Sequence, residues 1–149
     1  MIRLLHVLIA LLLCWLLPVT AAVSQDKGDK ALLQGKWKVT KMVKRGALVA
    51  PEKIARISFV FSQDRVELVS RGDADNRHFS SKFDSTRKPK QIDLTAENGS
   101  FKGQTSPGIF QLDADSLVLC LPHDDNKDRP DAFESLGGVA PSRILFTLQ

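Results

Sequence analysis

Side chains that could support catalysis occur throughout this chain of 149 residues, but their spacing forms no catalytic motif. Nucleophilic catalysis needs a serine or cysteine beside a base, and metal chemistry needs a cluster of ligands. Neither Gly-x-Ser-x-Gly nor His-Glu-x-x-His occurs in the sequence. No ligand spacing joins His78 and His123, so we expect both to be solvated or hydrogen-bonded. The sequence therefore predicts a protein that is not an enzyme and that has no metal or cofactor.

One acidic segment matches the beginning of a calcium-binding loop. Asp124, Asn126 and Asp128 alternate in the way that the first three oxygen ligands of such a loop do. Arg129 then stands where the loop needs a glycine for its sharp turn, and Ser135 stands where a bidentate glutamate closes the site. A solvated acidic loop is the better interpretation of this segment.

The basic residues do not indicate a nucleic-acid partner. Lysine and arginine number 21 against 17 aspartate and glutamate residues, and the two signs are interleaved along most of the chain. Binding of single-stranded nucleic acid also needs exposed aromatic side chains on which bases stack. The aromatic residue beside the basic positions 36–45 is Trp37, which we expect to be buried. We therefore predict no nucleic-acid partner.

The N-terminal segment has the composition of a secretory signal peptide. A basic residue near the start precedes an apolar run over residues 4–17, and small residues lead to a cleavage site after Ala22. This run is shorter than the roughly 20 apolar residues that a membrane-spanning helix needs. We predict a signal peptide (1–22), a short polar tether (23–32) and one domain (33–149). The protein would then be exported to the periplasm or the extracellular space, without a membrane span after cleavage.

Only one cysteine, Cys120, lies outside the predicted signal peptide, because Cys14 falls within its apolar run. An intramolecular disulfide is then impossible even in an oxidising compartment, so the fold must be stabilised by a hydrophobic core. Cys120 is out of phase with Leu117, Leu119 and Leu121. We interpret it as a small buried residue, although an exposed thiol would allow pairing between chains.

From Gly35 onward, apolar residues recur at every second position in short segments that turn residues separate. In the clearest hairpin, Phe110 and Leu112 would pair with Leu119 and Leu117. The alternation fails at Lys41, which suggests a bulge in the first strand. About eight strands are predicted, over 35–45, 56–62, 65–70, 76–83, the region of Ile92 and Leu94, 105–112, 117–121 and 142–149.

Strands without covering helices either stack as a sandwich or close as a barrel to remove exposed edges. Successive hairpins favour an all-β, antiparallel, up-and-down barrel in which the last strand pairs with the first. Eight strands enclose an interior that either side chains or one small ligand can fill.

The segment Leu33-Gln34-Gly35-Lys36-Trp37 contains the Gly-x-Trp signature of lipocalin-like barrels. Together with four further segments, it resembles an uncharacterised family of small lipocalin-like domains that is abundant in planctomycete bacteria and often exported. The resemblance implies a fold more than an activity. It also implies that Trp37, after Gly35, packs across the closed end of the barrel, often beneath an arginine, for which Arg143 is our candidate. The further segments are 88–94, 108–113, 116–121 and 129–133.

Two functions are compatible with this barrel. The first is a carrier of a small apolar ligand, with a cavity lined by Phe59, Phe61, Phe79, Phe83 and Phe110. Without a bulge, Lys41 would point inward and could hold an anionic head group. The alternative is a module of the cell envelope whose interior is filled and whose loops, such as 122–136, bind another protein.

Overall fold

The computed structural model of the chain describes residues 21–70, 76–123, 127–138 and 142–149. Residues 1–20 of the predicted signal peptide lie outside the described residues. No helix in the described part is long and apolar enough to cross a membrane. The elements in chain order are α1 (Ala21–Leu33), β1 (Gly35–Lys44), β2 (Ala47–Leu48), α2 (Pro51–Ile54), β3 (Ser58–Ser62), β4 (Arg65–Val69), β5 (Arg77–Asp84), β6 (Lys90–Ala96), β7 (Thr105–Asp113), β8 (Ser116–Pro122) and β9 (Arg143–Leu148).

Eight of these strands form a closed antiparallel barrel, which confirms the predicted all-β, up-and-down architecture. The order is β1-β3-β4-β5-β6-β7-β8-β9, and β9 pairs with β1 to close the sheet. The two-residue strand β2 pairs only with the end of β1, opposite Val43 and Lys44. Closure leaves no long unpaired edge, which removes a surface prone to strand addition by other chains.

A bulge at Thr40 adapts β1 to its two neighbours. Val39 is opposite Leu148, whereas Lys41 is already opposite Thr147, so Thr40 is the extra residue. Its hydroxyl donates to the carbonyl oxygen of Thr147 at 3.1 Å. The bulge reverses the phase of the strand, so that Lys41 is exposed. The predicted bulge is therefore confirmed, and the inward position of Lys41, which required a strand without a bulge, does not occur.

The alternation of apolar residues correctly predicted the register of the β7–β8 hairpin. Phe110 is opposite Leu119, and Leu112 is opposite Leu117. These side chains face the barrel interior, where they join residues from every barrel strand. Fourteen buried side chains form this core: Leu33, Trp37, Val39, Ile54, Phe59, Phe61, Val66, Ile92, Leu94, Phe110, Leu117, Leu119, Phe146 and Leu148.

The segment that we expected to be a polar tether, 23–32, lies within helix α1. Its polar composition gives no helical pattern of apolar residues, and contacts with the barrel anchor its C-terminal part. Leu33 is buried in the core, and Lys30 forms an ion pair with Asp64 in the β3–β4 turn. Asp29 forms a second ion pair with Lys90 at 2.6 Å. These contacts explain why propensity alone did not predict the helix.

We predict that Leu148→Ala destabilises the barrel by about 2–5 kcal/mol, because it removes a fully buried side chain from the closing strand. Urea unfolding measures this loss as a fall in the free energy of unfolding. The matched control Thr147→Ala changes a neighbouring side chain on the outer face and should cost less than about 1 kcal/mol. Equal losses for both variants would contradict the importance of the inward face.

Candidate functional site

The five phenylalanines predicted to line a cavity pack largely against one another and against the core. The ring centroids of Phe59 and Phe61 are 6.5 Å apart, those of Phe61 and Phe83 are 6.4 Å apart, and those of Phe83 and Phe110 are 5.9 Å apart. Phe59 also makes an edge-to-face contact with Phe146 at 5.2 Å. Phe79 is partly buried against the same core. These rings fill interior space, and such packing favours a filled barrel over a hollow one.

Helix α1 covers the end of the barrel at which β1 begins, which we call the closed end. The indole of Trp37 is only 9% exposed, and its Nε1 donates to the carbonyl oxygen of Leu33 at 2.8 Å. Between them, Gly35 has a φ of +116°, a conformation that favours glycine. The glycine therefore lets the chain turn from α1 into β1 while the tryptophan enters the core.

Arg143 does not lie over Trp37, so the candidate arginine was wrong. Arg143 is the first residue of β9 and is opposite Pro122. The next residue, Ile144, is opposite Lys44, the last residue of β1. That register places Arg143 at the far end of β1, whereas Trp37 lies near its start. The Arg143 guanidinium instead forms an ion pair with Asp131 at 2.9 Å. A backbone hydrogen bond at Asp131 is the main reason that the pKa of its carboxyl lies below the usual value, and the Arg143 guanidinium is the second.

Residues 127–138, which we call the strap, cross the outer face of β6 to β9. Arg129 anchors the strap through its guanidinium, which donates to the carbonyl oxygen of Gly108 at 2.7 Å and contacts Asp93 at 2.6 Å. The next residue, Pro130, is fully buried. Further along, the hydroxyl of Ser135 donates to the carbonyl oxygen of Arg143 at 2.6 Å. The strap is thus an ordered layer over the sheet.

Cys120 lies between the barrel and the strap, which explains why it is out of phase with its neighbours yet buried. Its side chain faces outward beside Ile109, and both residues are at most 1% exposed. The thiol contacts the carbonyl oxygen of Glu134 at 3.5 Å. Burial raises the pKa of the Cys120 thiol, mainly because the thiolate would lose its hydration. The strand is therefore buried on both faces at this position.

A polar groove opens in the barrel wall near the closed end, and we call it the β5 groove. It has a volume of about 600 Å³ and is open to solvent. Its lining combines three hydroxyl-bearing residues with two lysines, one aspartate and one phenylalanine. The complete lining is Lys30, Asp64, Ser80, Ser81, Lys82, Phe83 and Thr95.

A smaller groove of about 260 Å³ lies between the β5–β6 turn, β7 and Phe133 of the strap. Asp84 orders this turn, because its carboxylate accepts from the backbone N–H of Thr86 at 3.0 Å and from Arg87 at 3.2 Å. Hydrogen bonding from the Thr86 hydroxyl is the main reason that the pKa of Asp84 is lowered. Hydrogen bonds within the turn therefore satisfy the carboxylate of Asp84 and the guanidinium of Arg87 without a ligand.

The described residues contain no group of three or more histidine, cysteine, aspartate or glutamate side chains that could hold a metal ion. His78 is exposed and His123 is partly buried, and they lie on different strands or their ends. Of the calcium-like segment, Asp124 and Asn126 lie outside the described residues. Arg129, at the position where that loop would need glycine, anchors the strap.

No sequence motif predicted the β5 groove. Its polar residues are ordinary in type and come from α1, a turn and two strands. Only the unequal lengths of paired strands bring them together, and alternation of apolar residues defines strand ends poorly.

Comparisons with the models of known protein families, with curated proteins and with solved structures found no match. The resemblance to planctomycete lipocalin-like domains therefore stays a prediction.

We predict that Arg129→Ala loosens the strap and exposes Cys120 to thiol reagents. The charge-assisted hydrogen bonds that anchor the strap would be lost, so its local opening should become about tenfold or more frequent. The rate of labelling by a disulfide reagent under native conditions measures this change. Arg87→Ala, which removes an exposed ion pair on a turn, is the control and should leave the rate unchanged.

The buried thiol also predicts a dependence of stability on pH. Because the pKa of Cys120 is raised in the folded state, its contribution is fully present below the pKa of the unfolded thiol and is lost as pH rises through the folded value. The free energy of unfolding of the native protein should therefore fall relative to that of Cys120→Ala between pH ~8 and ~10. A constant difference between the two proteins would show that the thiol ionises freely.

Proposed function

We propose that this chain is an exported, lipocalin-like barrel that acts through its outer surface, as a protein-interaction module of the cell envelope. The observation that carries this proposal is the packing of the interior phenylalanines against one another. A barrel filled in this way has its binding groups outside. Export rests on the composition of residues 1–22, and the lipocalin-like assignment rests on the Gly-x-Trp segment at Gly35 and Trp37.

The end of the barrel opposite α1 presents two exposed apolar side chains from neighbouring segments. Leu48 in β2 is 66% exposed, and Leu136 in the strap is 53% exposed. Their segments touch: a Cβ added to Gly46 would lie 2.7 Å from the backbone nitrogen of Gly137. We call this surface the leucine patch. Apolar side chains exposed together on ordered backbone are typical of protein-binding surfaces.

The strap supports the patch because it is already ordered without a partner. Arg129, Pro130 and Ser135 fix it to the barrel through hydrogen bonds and burial. Binding of a partner would therefore cost less conformational entropy than it would if this segment were a free loop. The binding surface is thus a segment fixed to the barrel, from which Leu136 projects, rather than a loop surrounded by solvent.

Site-specific photo-crosslinking in the native envelope tests this proposal. A photoreactive side chain at position 136 should give a discrete protein adduct, whereas the same group at position 113, exposed at the closed end, should not. Leu48→Ser should reduce the adduct formed from position 136 without lowering the free energy of unfolding. Equal adducts from both positions, or none from position 136, would contradict a partner at the leucine patch.

A titration with fatty acids and other apolar probes distinguishes this module from a carrier. After removal of residues 1–22, Trp37 is the only tryptophan, so its fluorescence reports on the core. The filled interior predicts no saturable change in fluorescence and no rise in melting temperature with added probe. Saturable binding that Phe110→Ala abolishes would instead establish an apolar site inside the barrel.

A further inference from the structure

The outer face of β1 carries three lysines in a row. Trp37 and Val39 are buried in the core, and Lys36 and Lys38, which alternate with them, therefore point outward. The bulge of β1 keeps Lys41 on the outer face as well, and all three lysines are exposed to solvent. With a rise of about 3.3 Å per residue, alternate side chains on a strand are roughly 7 Å apart. We call these three side chains the lysine stripe.

Uncharged side chains flank the lysine stripe on both sides. Its cross-strand neighbours are Val60 and Ser58 on β3 and Thr147 on β9. Beyond Val60, the carboxylate of Glu67 on β4 accepts a hydrogen bond from Asn76 at 2.6 Å. On this part of the outer face, positive charge is therefore confined to the width of one strand.

The charges of the lysine stripe are not neutralised by the described residues. Elsewhere on the barrel, Lys90, Arg129 and Arg143 each form an ion pair with an aspartate at 2.6–2.9 Å. No described carboxylate does this for the stripe, so its like charges repel one another across a short spacing. A row of this kind opposes folding slightly and creates a local positive potential that attracts an anionic partner.

The lysine stripe leads directly into the leucine patch. Val43 follows Lys41 on the outer face of β1 and is opposite Leu48 of β2, so the two apolar side chains lie side by side. On its other side, Val43 is opposite Leu145 of β9. The charged row and the apolar patch therefore form one continuous surface, roughly 20 Å long, along β1.

We propose that this surface binds an extended, acidic segment of the protein partner, with carboxylates facing the lysine stripe and an apolar side chain on the leucine patch. The inference rests on the proposed function, because it names the chemistry of the partner at the same patch. An extended segment directs alternate side chains to one face at the same spacing of about 7 Å as the lysines. Its carboxylates can therefore meet the ammonium groups one to one, which gives charge complementarity along the whole contact.

Two other polyanions match this surface less well. A layer of lipid head groups is a broad plane, whereas the positive charge here has uncharged strands on both sides. A single-stranded nucleic acid needs aromatic side chains on which its bases stack, and the aromatic residue of β1, Trp37, is buried. An acidic peptide needs neither a broad basic plane nor an aromatic platform.

Synthetic peptides test the proposed chemistry. The probe is a peptide that alternates glutamate with threonine and has one leucine, placed at its first residue in one version and at its last in another. At low ionic strength, one version or both should shift the backbone amide signals of Lys36, Lys38 and Leu48 saturably in two-dimensional NMR spectra. Peptides with glutamine in place of glutamate should bind about tenfold or more weakly. No saturable shift with either acidic peptide, or equal affinity for the glutamine peptides, would overturn the proposal.

Two triple variants separate the lysine stripe from a general effect of net charge. Replacement of the whole stripe should weaken binding of the acidic peptide about tenfold or more. The control removes the same net charge at three exposed lysines elsewhere and should leave the affinity within about twofold. Equal weakening by both would contradict a specific site on β1. The stripe variant is Lys36→Gln/Lys38→Gln/Lys41→Gln, and the control is Lys82→Gln/Lys88→Gln/Lys102→Gln.

The same NMR titration distinguishes the other polyanions. Vesicles of phosphatidylglycerol and single-stranded oligodeoxythymidylate should give no saturable shift of the Lys36, Lys38 and Leu48 signals. Saturable binding of either one that the stripe variant weakens about tenfold would assign the surface to that polyanion and refute the acidic segment.

Cross-linking in the native envelope separates this inference from the proposed function. A photoreactive side chain at position 149 leaves the lysines intact, and the backbone of Gln149 pairs with that of Lys38 at 2.8 and 3.0 Å. It should capture the same protein as the group at position 136. An adduct from position 136 without one from position 149 would refute the acidic segment alone. The absence of an adduct from position 136 would instead refute the proposed function.

Discussion

The pairing of β9 with β1 is the constraint on which the rest of this structure depends. It converts a strand meander into a closed wall, so each barrel strand directs one set of side chains into a shared interior. The bulge at Thr40 belongs to this closure, because it shifts the register of β1 between Val39 and Lys41. Helix α1 lies at the end of the barrel where β1 begins, because Trp37 enters the core directly after the turn at Gly35.

A small closed barrel has little interior volume, and large side chains occupy it here. Phe59, Phe83 and Phe110 take part in a connected series of ring contacts, and aliphatic residues pack around them. The same strands bury a second, smaller layer on their outer face, where Cys120 and Ile109 lie beneath the strap. The strap does not extend over the outer face of β1 and β3 to β5, so polar groups there, as well as groups at the two ends of the barrel, are exposed to solvent.

The part of the fold that could be predicted is the part governed by a period of two. The pairs Phe110–Leu119 and Leu112–Leu117 follow from alternation and one short turn, and the terminal closure follows from the need to remove edges. Helix α1 could not be predicted, because contacts with the barrel rather than an apolar stripe hold it. The strap could not be predicted either, since its contacts, such as those of the Arg129 guanidinium with Gly108 and Asp93, join it to strands distant in sequence.

The candidate sites were least predictable because they arise where the regular pattern stops. The alternation of β5 assigns Ser81 to the interior, and at a fully paired position a serine there would be an ordinary small core residue. Beyond Arg65, where β4 begins, no paired strand covers that side of β5, and the Oγ of Ser81 is buried without a hydrogen-bond partner among the described residues. Likewise, Lys82 has no carboxylate partner among the described residues, because Asp93, which is opposite it on β6, is engaged by Arg129. In this barrel, unequal strand lengths and the ion pair between Arg129 and Asp93, rather than any sequence motif, decide which polar groups of β5 are left unpaired.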